Sequence, residues 1–395
     1  MSSIELFAGA GGLALGMSKA GFKHSAIIEW NHDACETIRF NKAKHILPVS
    51  SWPDPLENDA RRIDYSKFVN PVSVISGGPP CQPFSLGGKH KGNMDERDMF
   101  PEAVRAVREL RPKAFIFENV KGLLRQSFST YFEYIYLQLN YPSLVRKKDE
   151  SWEQHLSRLE KLHTSGDHQE THYNVAFRLL NAANYGVAQK RERVFFVGFR
   201  SDLEVEWSFP NETHSEEQLL VSKWVTGDYW ERHKIAKRHR PSIPDKSVRK
   251  ISRLAAQYDN GERQTFEPWQ TVRDAISDLP DPEKGSKFSI ANHQHNPGAR
   301  VYPGHTGSPL DEPAKTLKAG DHGVPGGENM LVKLDGTVRY FTVREAARLQ
   351  TFPDDYVFNG SWTETMRQLG NAVPVKLAET VASSVATSLA KIDCN

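Results

Sequence analysis

Residues 7–13 read Phe-Ala-Gly-Ala-Gly-Gly-Leu, a glycine loop between two apolar runs. The run before it, Ile4 to Phe7, has the length of a buried strand, and the run after it, Leu13 to Ala20, has helical character. A strand, a glycine turn and a helix in this order are typical of nucleotide sites, because glycine lets the backbone approach a ligand at the helix N-terminus. The stretch therefore predicts a cofactor of nucleotide type beside the first helix.

Three more apolar runs resemble buried strands, and each ends in a polar residue or a glycine. They are Ala26 to Ile28 before Glu29, Val72 to Ile75 before Gly77, and Ala114 to Phe117 before Glu118. The clearest helical stretch between them is Met99 to Leu110. Alternating strands and helices predict an α/β fold with a Rossmann-like, doubly wound and mostly parallel sheet. Because such sheets bind ligands beyond the carboxyl ends of their strands, we expect the residues after these runs to gather at one edge.

Glu29 stands twenty residues after Gly9, at the end of the second run. A carboxylate there can accept hydrogen bonds from both hydroxyls of a ribose, and Trp30 beside it offers a flat face to an adenine. The glycine spacing is G-x-G-G and not the G-x-G-x-x-G of dinucleotide sites, which favours S-adenosylmethionine. A nicotinamide dehydrogenase is the alternative, although it gives no common task to the residues described next.

Residues 77–85 read Gly-Gly-Pro-Pro-Cys-Gln-Pro-Phe-Ser. Pro80 and Pro83 fix φ and remove backbone donors, so the loop projects its side chains and presents Cys81 as a nucleophile. A free cysteine is more often a small buried hydrophobe, and the loop alone does not decide between the two interpretations. Cys35, Cys81 and Cys394 lie too far apart in sequence to indicate a disulfide framework or a cysteine-rich zinc site.

Methylation at C5 of a pyrimidine would give these residues one chemistry. A thiolate that adds at C6 makes C5 nucleophilic, provided that an acid supports N3 and a cation holds O2. Glu118 ends the strand after the Cys81 strand, and Arg191 and Arg193 stand two apart on a strand-like run, so they should point to one face. Taken singly, each of these charges could instead form a surface ion pair.

Together these segments resemble the DNA (cytosine-5) methyltransferases of the bacterial restriction-modification type. The matching segments span nearly the whole chain: Phe7 to Gly12, Glu29-Trp30, Gly78 to Ser85, Glu118 to Val120, Gln189 to Arg193, Arg344 to Pro353 and Gly370 to Pro374. The resemblance implies that S-adenosylmethionine is the methyl donor and double-stranded DNA the substrate. It also implies a monomer, and it allows for a restriction endonuclease that acts on the same site.

The resemblance also implies roles for individual residues. Cys81 is the nucleophile, Glu118 the partner of N3, Arg193 the partner of O2, and Arg191 an active-site support. Cofactor contacts are implied for Phe7, Gly9, Gly11, Gly12, Glu29, Trp30, Asp59, Pro80 and Asn371, with Asp64 a nearby alternative to Asp59. DNA contacts are implied for Gln82, Ser85, Thr316 and Leu317, and no metal site is implied.

The character of the chain changes in its second half. Residues 221–254 hold ten Lys or Arg against three Asp or Glu, and residues 297–327 hold seven Gly and five Pro. Since the net charge is only +2, affinity for a polyanion has to come from such a local basic surface. We expect the basic stretch to bind phosphates and the loops around 298–327 to read base edges, although part of the stretch could be merely solvated.

We therefore predict a catalytic and cofactor-binding domain over 1–200, a target-recognition domain inserted over 201–340, and a hinge and return to the catalytic domain over 341–395. Thr342 and Glu345 predict a capping box that opens a helix through Gln350, and Pro374 opens a last helix whose apolar face packs back on the first sheet. Residues 126–172 predict a helical insertion whose apolar stripe serves packing. We find neither a signal peptide nor an apolar stretch of membrane-spanning length, which predicts a cytoplasmic protein.

Two other functions stay open on sequence grounds, and a third is disfavoured. Cytosine-5 methylation of RNA would use the same chemistry, and a non-catalytic DNA-binding module would need only the basic region. A zinc cytidine deaminase is disfavoured, because Phe84 stands where its second cysteine should be and the pair His168 and Glu170 follows Cys81 instead of preceding it.

Overall fold

The computed structural model describes residues 1–68, 70–80, 98–166, 172–261, 265–285, 290–303, 306–319 and 327–393. Within them the central sheet has seven strands in the order β3-β2-β1-β4-β5-β7-β6. The strands are β1 Ser2–Leu6, β2 Lys23–Glu29, β3 Leu56–Glu57, β4 Val74–Gly77, β5 Ala114–Val120, β6 Tyr173–Asn181 and β7 Glu192–Arg200. The first five pair in parallel, whereas β7 pairs antiparallel with both β5 and β6. This topology confirms the predicted mostly parallel α/β sheet.

Helices cover both faces of this sheet, as in a doubly wound fold. They are α1 Gly12–Lys19, α2 His32–Ala43, α3 Phe100–Leu110, α4 Ser129–Asn140 and α5 Trp152–Ser165, with α12 Val375–Asp393 returning from the end of the chain. On one face α3, α4 and α5 pack on Ile4, Ile75 and Phe115, whereas on the other α1 and α12 pack on Val74 and Ile116. Neighbouring residues Val74 and Ile75 thus point to opposite layers.

The last helix packs back on the first sheet, as predicted. Leu377, Val381, Val385 and Leu389 of α12 are fully buried in the cluster that contains Leu13 of α1. The predicted stripe over residues 126–172 is likewise packing, because Leu156 and Leu159 of α5 lie in the cluster on the opposite face of the sheet. Strand β6 is a feature that the sequence analysis did not identify.

The second half of the chain forms smaller elements. They are β8 His214–Ser215, α6 Glu216–Trp224, α7 Asp228–Arg232, α8 Val248–Asp259, β9 Glu267–Pro268, α9 Val272–Ile276, β10 Ser308–Pro309, β11 Met330–Val332, β12 Val338–Tyr340, α10 Val343–Leu349 and α11 Trp362–Asn371. A small core of its own surrounds Trp230 and Trp269. The capping box of Thr342 and Glu345 is present, and Gln350 caps the helix that it opens. The domain boundaries at 200 and 340 stay predictions.

Among the helices of the described residues, we find none that combines the length and the apolar character needed to cross a bilayer.

Glu5 is a buried carboxyl group in the middle of the sheet. It lies opposite Ser76 of β4, whose hydroxyl donates to Glu5 Oε2, while Oε1 has no hydrogen-bond partner among the described residues. Burial raises the pKa of Glu5 to about 8, and the Ser76 hydrogen bond only partly opposes this rise. The folded protein therefore holds Glu5 protonated at neutral pH.

We expect Glu5→Gln to remove a pH dependence of stability. Because the folded-state pKa lies above the unfolded one, the folded wild type binds an extra proton between about pH 5 and pH 8 and loses stability as the pH rises. Over this window the free energy of unfolding of the variant, measured in urea, should rise relative to that of the wild type by at most about 1.4 kcal/mol per pH unit. The exposed Glu204→Gln is the control, and parallel pH curves for Glu5→Gln and wild type would contradict the assignment.

Candidate active site

The loops after β1, β2, β4 and β5 meet at one edge of the sheet. The register of the parallel strands sets Leu6 beside both Ile28 and Gly77, and Gly77 beside Phe117. The residues that follow these positions are therefore neighbours, as the sequence predicted. They include the glycine loop, Glu29, the Gly78–Pro80 run and Glu118.

The three glycines of the first loop have different surroundings. Phe7, Gly9 and Gly11 all have positive φ, which bends the chain away from the sheet. A Cβ on Gly9 would meet no atom within 4 Å, whereas a Cβ on Gly12 would lie 2.5 Å from the carbonyl oxygen of Val373. Gly9 thus faces open space, and Gly12 allows the chain before α12 to approach closely.

Glu29 joins the glycine loop to the loop after β2. The N–H of Gly9 donates to Glu29 Oε2 and the N–H of Asn31 to Oε1, both at 2.7 Å. Burial raises the pKa of Glu29, and these backbone donors act against the rise. Trp30 beside it is 73% exposed, so the face of its ring is accessible.

Asp59 follows β3 at the same edge of the sheet. The N–H of Asn58 donates to the backbone oxygen of Glu29, which fixes the start of this loop. The Asp59 carboxylate accepts from the side chain of Arg61 at 2.9 Å, and this pairing lowers its pKa. Asp64 lies one turn further along with a side chain that is 54% exposed, against 21% for Asp59. The geometry favours Asp59 as the acid of this loop.

Cys81, Gln82 and Ser85 lie outside the described residues, as do His168 and Glu170. Pro79 and Pro80 are fixed by hydrogen bonds to their backbone oxygens. Asn119 Nδ2 donates to the oxygen of Pro79 at 2.8 Å, and the N–H of Met99 donates to the oxygen of Pro80 at 3.0 Å. A Cβ on Gly78 would lie 3.3 Å from Glu118 Oε2, so the run toward Cys81 passes directly beside the Glu118 carboxylate.

Glu118 and Arg193 form a buried ion pair in which Arg193 Nε lies 2.7 Å from Glu118 Oε1. Apart from this ion pair, Oε1 has no hydrogen-bond partner among the described residues. Burial raises the pKa of Glu118, and the charges of Arg193 and Arg191 act against the rise. The arrangement suits a carboxyl group that has to donate a proton or a hydrogen bond.

Arg191 is close to this pair but makes other bonds. Its side chain is fully buried and donates to the oxygen of Leu317 at 2.9 Å and to that of Gly370 at 2.7 Å. Desolvation lowers its pKa, and the neighbouring Arg193 adds to this effect. Arg191 therefore joins Leu317 to the last turn of α11.

Three further predicted contact residues lie close to the segment before β7: Thr316, Leu317 and Asn371. Leu317 is buried, while its N–H donates to Gln189 Oε1 at 2.9 Å, and the Thr316 hydroxyl donates to the oxygen of Lys190 at 2.7 Å. Asn371 is exposed at the end of α11. The burial of Leu317 does not support a direct contact of its side chain with DNA.

Two buried glutamines were not identified as site residues from the sequence. Gln189 Nε2 donates to Gln350 Oε1 at 3.3 Å, and Gln350 Nε2 donates to the oxygen of Leu369 at 2.6 Å. Their only sequence signal is that they lie inside two matching segments, Gln189 to Arg193 and Arg344 to Pro353. The two glutamines connect α10, Leu317 and the end of α11.

Comparison with known proteins decides the family. The family model of the C-5 cytosine-specific DNA methylases matches residues 1–387. The chain belongs to this family. It is therefore a methyltransferase, and the predicted resemblance is confirmed.

Curated relatives and solved structures agree with this assignment. The chain is 30% identical to the Type II methyltransferase M.NgoMIV of Neisseria gonorrhoeae over 390 residues, which cover 99% of this chain and 98% of that protein. It is also 30% identical to the Type II methyltransferase M.Eco47II of Escherichia coli, over 99% of this chain and 80% of that protein. The crystal structure of the S. pombe Dnmt2 methyltransferase shares the fold, with a TM-score of 0.54 and 16% identity over 100% of this chain and 99% of that one.

The basic stretch of this methyltransferase divides into two groups. Four of its ten Lys and Arg residues are paired internally: Lys223 with Glu312, Arg232 with Asp274, Lys250 with Glu216, and Arg253 with Glu217. The others form no ion pair with any described residue: Lys234, Lys237, Arg238, Arg240, Lys246 and Arg249. Phosphate binding by the stretch stays a prediction, and these four pairs identify the members that are already engaged within the protein.

We expect Arg193→Met to destabilise the protein by about 3 kcal/mol, because it leaves Glu118 as a buried charge without its closest partner. The double variant Glu118→Gln/Arg193→Met should recover most of this loss, since the buried charge is then gone. Chemical denaturation of the wild type, both single variants and the double variant measures the coupling. Additive losses would show that the two side chains do not act as a pair.

Proposed function

We propose that this methyltransferase transfers a methyl group from S-adenosylmethionine to C5 of a cytosine that is flipped out of duplex DNA, through a covalent bond between Cys81 and C6. The observation that carries the proposal is the buried Glu118–Arg193 pair beside the Gly78–Pro80 run. A carboxyl group of raised pKa, paired with a guanidinium, lies beside Gly78, three residues before Cys81. This combination matches what C5 methylation requires.

The residues at the sheet edge fit the cofactor. Gly9 faces open space, the Glu29 carboxylate is held by two backbone donors, and the Trp30 ring is exposed. These residues would hold the ribose and adenine, with Phe7, Gly11, Gly12, Asp59, Pro80 and Asn371 completing the site. When bound, S-adenosylmethionine supplies an electrophilic methyl group on its sulfonium.

The side chains of the chain would then act on the base. The Cys81 thiolate adds to C6, Glu118 donates to N3 as charge develops there, and Arg193 holds O2. C5 would take the methyl group from the sulfonium, which departs as a neutral thioether. A base would then remove the remaining proton of C5, and the thiolate would leave C6 as the double bond re-forms. Arg191 would support the site by holding Leu317 and Gly370 through its two hydrogen bonds.

Duplex DNA is the proposed substrate, because the family is that of the C-5 cytosine-specific DNA methylases. C5 is shielded by stacking in a duplex, so the cytosine has to leave the helix to reach Cys81. Gln82, Ser85 and Thr316 would contact the DNA. The names of the relatives as Type II methyltransferases favour a short specific site shared with a restriction endonuclease. A cytoplasmic, monomeric enzyme remains our expectation.

We expect Cys81→Ser to reduce methyl transfer to duplex DNA by at least about 100-fold while leaving binding of S-adenosylmethionine intact. DNA that carries 5-fluorocytosine should trap the wild type, but not the variant, as a covalent conjugate through residue 81. Transfer of labelled methyl groups to plasmid DNA and to transfer RNA, with peptide mapping of the conjugate, measures both. An active Cys81→Ser variant would refute the mechanism, and transfer to RNA alone would refute the substrate.

Cys35→Ala is the matched control. The Cys35 thiol is buried and donates to the backbone oxygen of Glu29 at 3.6 Å, and burial raises its pKa to about 12. We therefore expect this variant to keep methyl transfer and to form the same conjugate. If Cys35→Ala formed no conjugate, the assignment of Cys81 as the nucleophile would be wrong.

The two groups of basic residues give a second test. We expect Lys237→Ala/Arg238→Ala to weaken duplex binding and to lower the slope of log K against log salt by about 2, since each phosphate contact contributes about 0.9. Lys250→Ala/Arg253→Ala should leave the slope unchanged, because these residues are paired with Glu216 and Glu217. Fluorescence anisotropy over a salt series measures both. Equal slopes for the two double variants would contradict the division.

A further inference from the structure

The loop after β2 is tied to the helix that leads to Asn371. Asn31 is the N-cap of α2, and its Oδ1 accepts from the N–H of Ala34 at 2.9 Å. The same oxygen accepts from Arg367 Nη2 of α11, also at 2.9 Å. Because the N–H of Asn31 donates to Glu29, Arg367 acts on Glu29 through one intermediate residue.

Arg367 is itself held in a fixed orientation. Its Nε donates to Glu364 Oε2 at 2.7 Å and its Nη2 to Oε1 at 2.6 Å, which is a two-point ion pair. Glu364 also accepts from Gln368, and Gln368 accepts from the Thr37 hydroxyl at 2.8 Å. Helices α2 and α11 are thus joined at two places, Asn31 and Thr37.

The other end of α11 is equally fixed. Gly370 packs on the backbone of Lys318 and Ala319 so closely that no Cβ would fit there, and its oxygen accepts from Arg191. Asn371 follows directly. The rigid helix between Arg367 and Asn371 therefore relates the position of Glu29 to that of Asn371.

Electrostatics points the same way. Arg367 is the charged side chain that lowers the pKa of Glu29 against the rise caused by burial. It thus favours the ionised carboxylate that can accept from hydroxyl groups. Arg367 does not belong to the chemistry of Cys81, Glu118 and Arg193.

We propose that Arg367 is a positioning residue for the cofactor, which holds the Glu29–Trp30 loop and Asn371 at the separation that S-adenosylmethionine needs to be bound at both ends. The inference rests on the proposed function, because it takes S-adenosylmethionine as the ligand of this edge. Arg367 touches neither the cofactor nor the base in this scheme. Its effect is preorganisation of two loops that bind different parts of one molecule.

Arg367→Gln and Arg367→Lys test the proposal, with Arg200→Gln as the matched control. Arg200 also makes a two-point ion pair, with Asp202, and one further bond to a backbone oxygen, but it lies at the far end of β7. Binding of S-adenosylmethionine and of adenosine is measured by calorimetry, and kcat and KM by methyl transfer. Thermal unfolding without ligand shows whether each variant is folded.

For Arg367→Gln we expect Kd and KM for S-adenosylmethionine to rise about 10-fold or more, the range for a lost hydrogen bond to a charged group. Adenosine, which needs only one loop, should lose less affinity, and kcat at saturating cofactor and KM for DNA should stay near wild type. For Arg367→Lys, Kd and KM for S-adenosylmethionine should lie between those of wild type and Arg367→Gln. For Arg200→Gln, both constants should equal those of wild type. A folded Arg367→Gln with unchanged affinity, or with a lower kcat and unchanged KM, would overturn the proposal.

A double-variant cycle tests the route. If Arg367 acts through Asn31, Arg367→Gln should cost much less affinity in an Asn31→Ala background than in wild type. Equal losses in both backgrounds would overturn the route through Asn31. If the wild type binds no S-adenosylmethionine, the proposed function itself is refuted. If the wild type and Arg367→Gln bind S-adenosylmethionine with equal affinity, only this inference is refuted.

Discussion

The buried ion pair of Glu118 and Arg193 is the constraint on which the site depends. Neither charge is stable alone in this environment, and their approach is possible only because β7 runs antiparallel to β5. The register sets Arg193 beside Val120, so the start of β7 lies at the edge where β5 ends. In a fully parallel sheet the start of that strand would lie at the opposite edge, and Arg193 would be far from Glu118.

The same reversal gathers the remaining parts of the molecule. β7 starts at the edge of the sheet where β5 ends. The residues just before β7, Gln189 to Arg191, therefore lie beyond the sheet, where they contact Leu317. Gln189 and Arg191 together bind the N–H and the oxygen of Leu317, and Arg191 also binds Gly370. One short segment thus contacts Leu317 and the end of α11, and it leads directly into the strand that carries Arg193.

Sequence reasoning succeeded where the signal is local. The buried strands, the capping box of Thr342 and the gathering of loops at one edge follow from patterns within a few residues. It failed where partners are distant in sequence. The spacing of Arg191 and Arg193 predicted a shared face, yet Arg191 bonds to two carbonyls that no local pattern reveals. Charge counting likewise missed that Lys223 is paired with Glu312. Strand β6 escaped because much of it is only partly buried, so its apolar signal is weak.

The glycine loop shows why a motif and its physical causes have to be separated. Gly9 and Gly12 look equivalent in sequence, but only one of them borders open space. Gly12 is required because the carbonyl of Val373 lies against it, where any side chain would collide. The start of the first helix and the start of the last helix therefore fix each other. Val373, near the end of the chain, therefore helps to fix the glycine loop that follows β1.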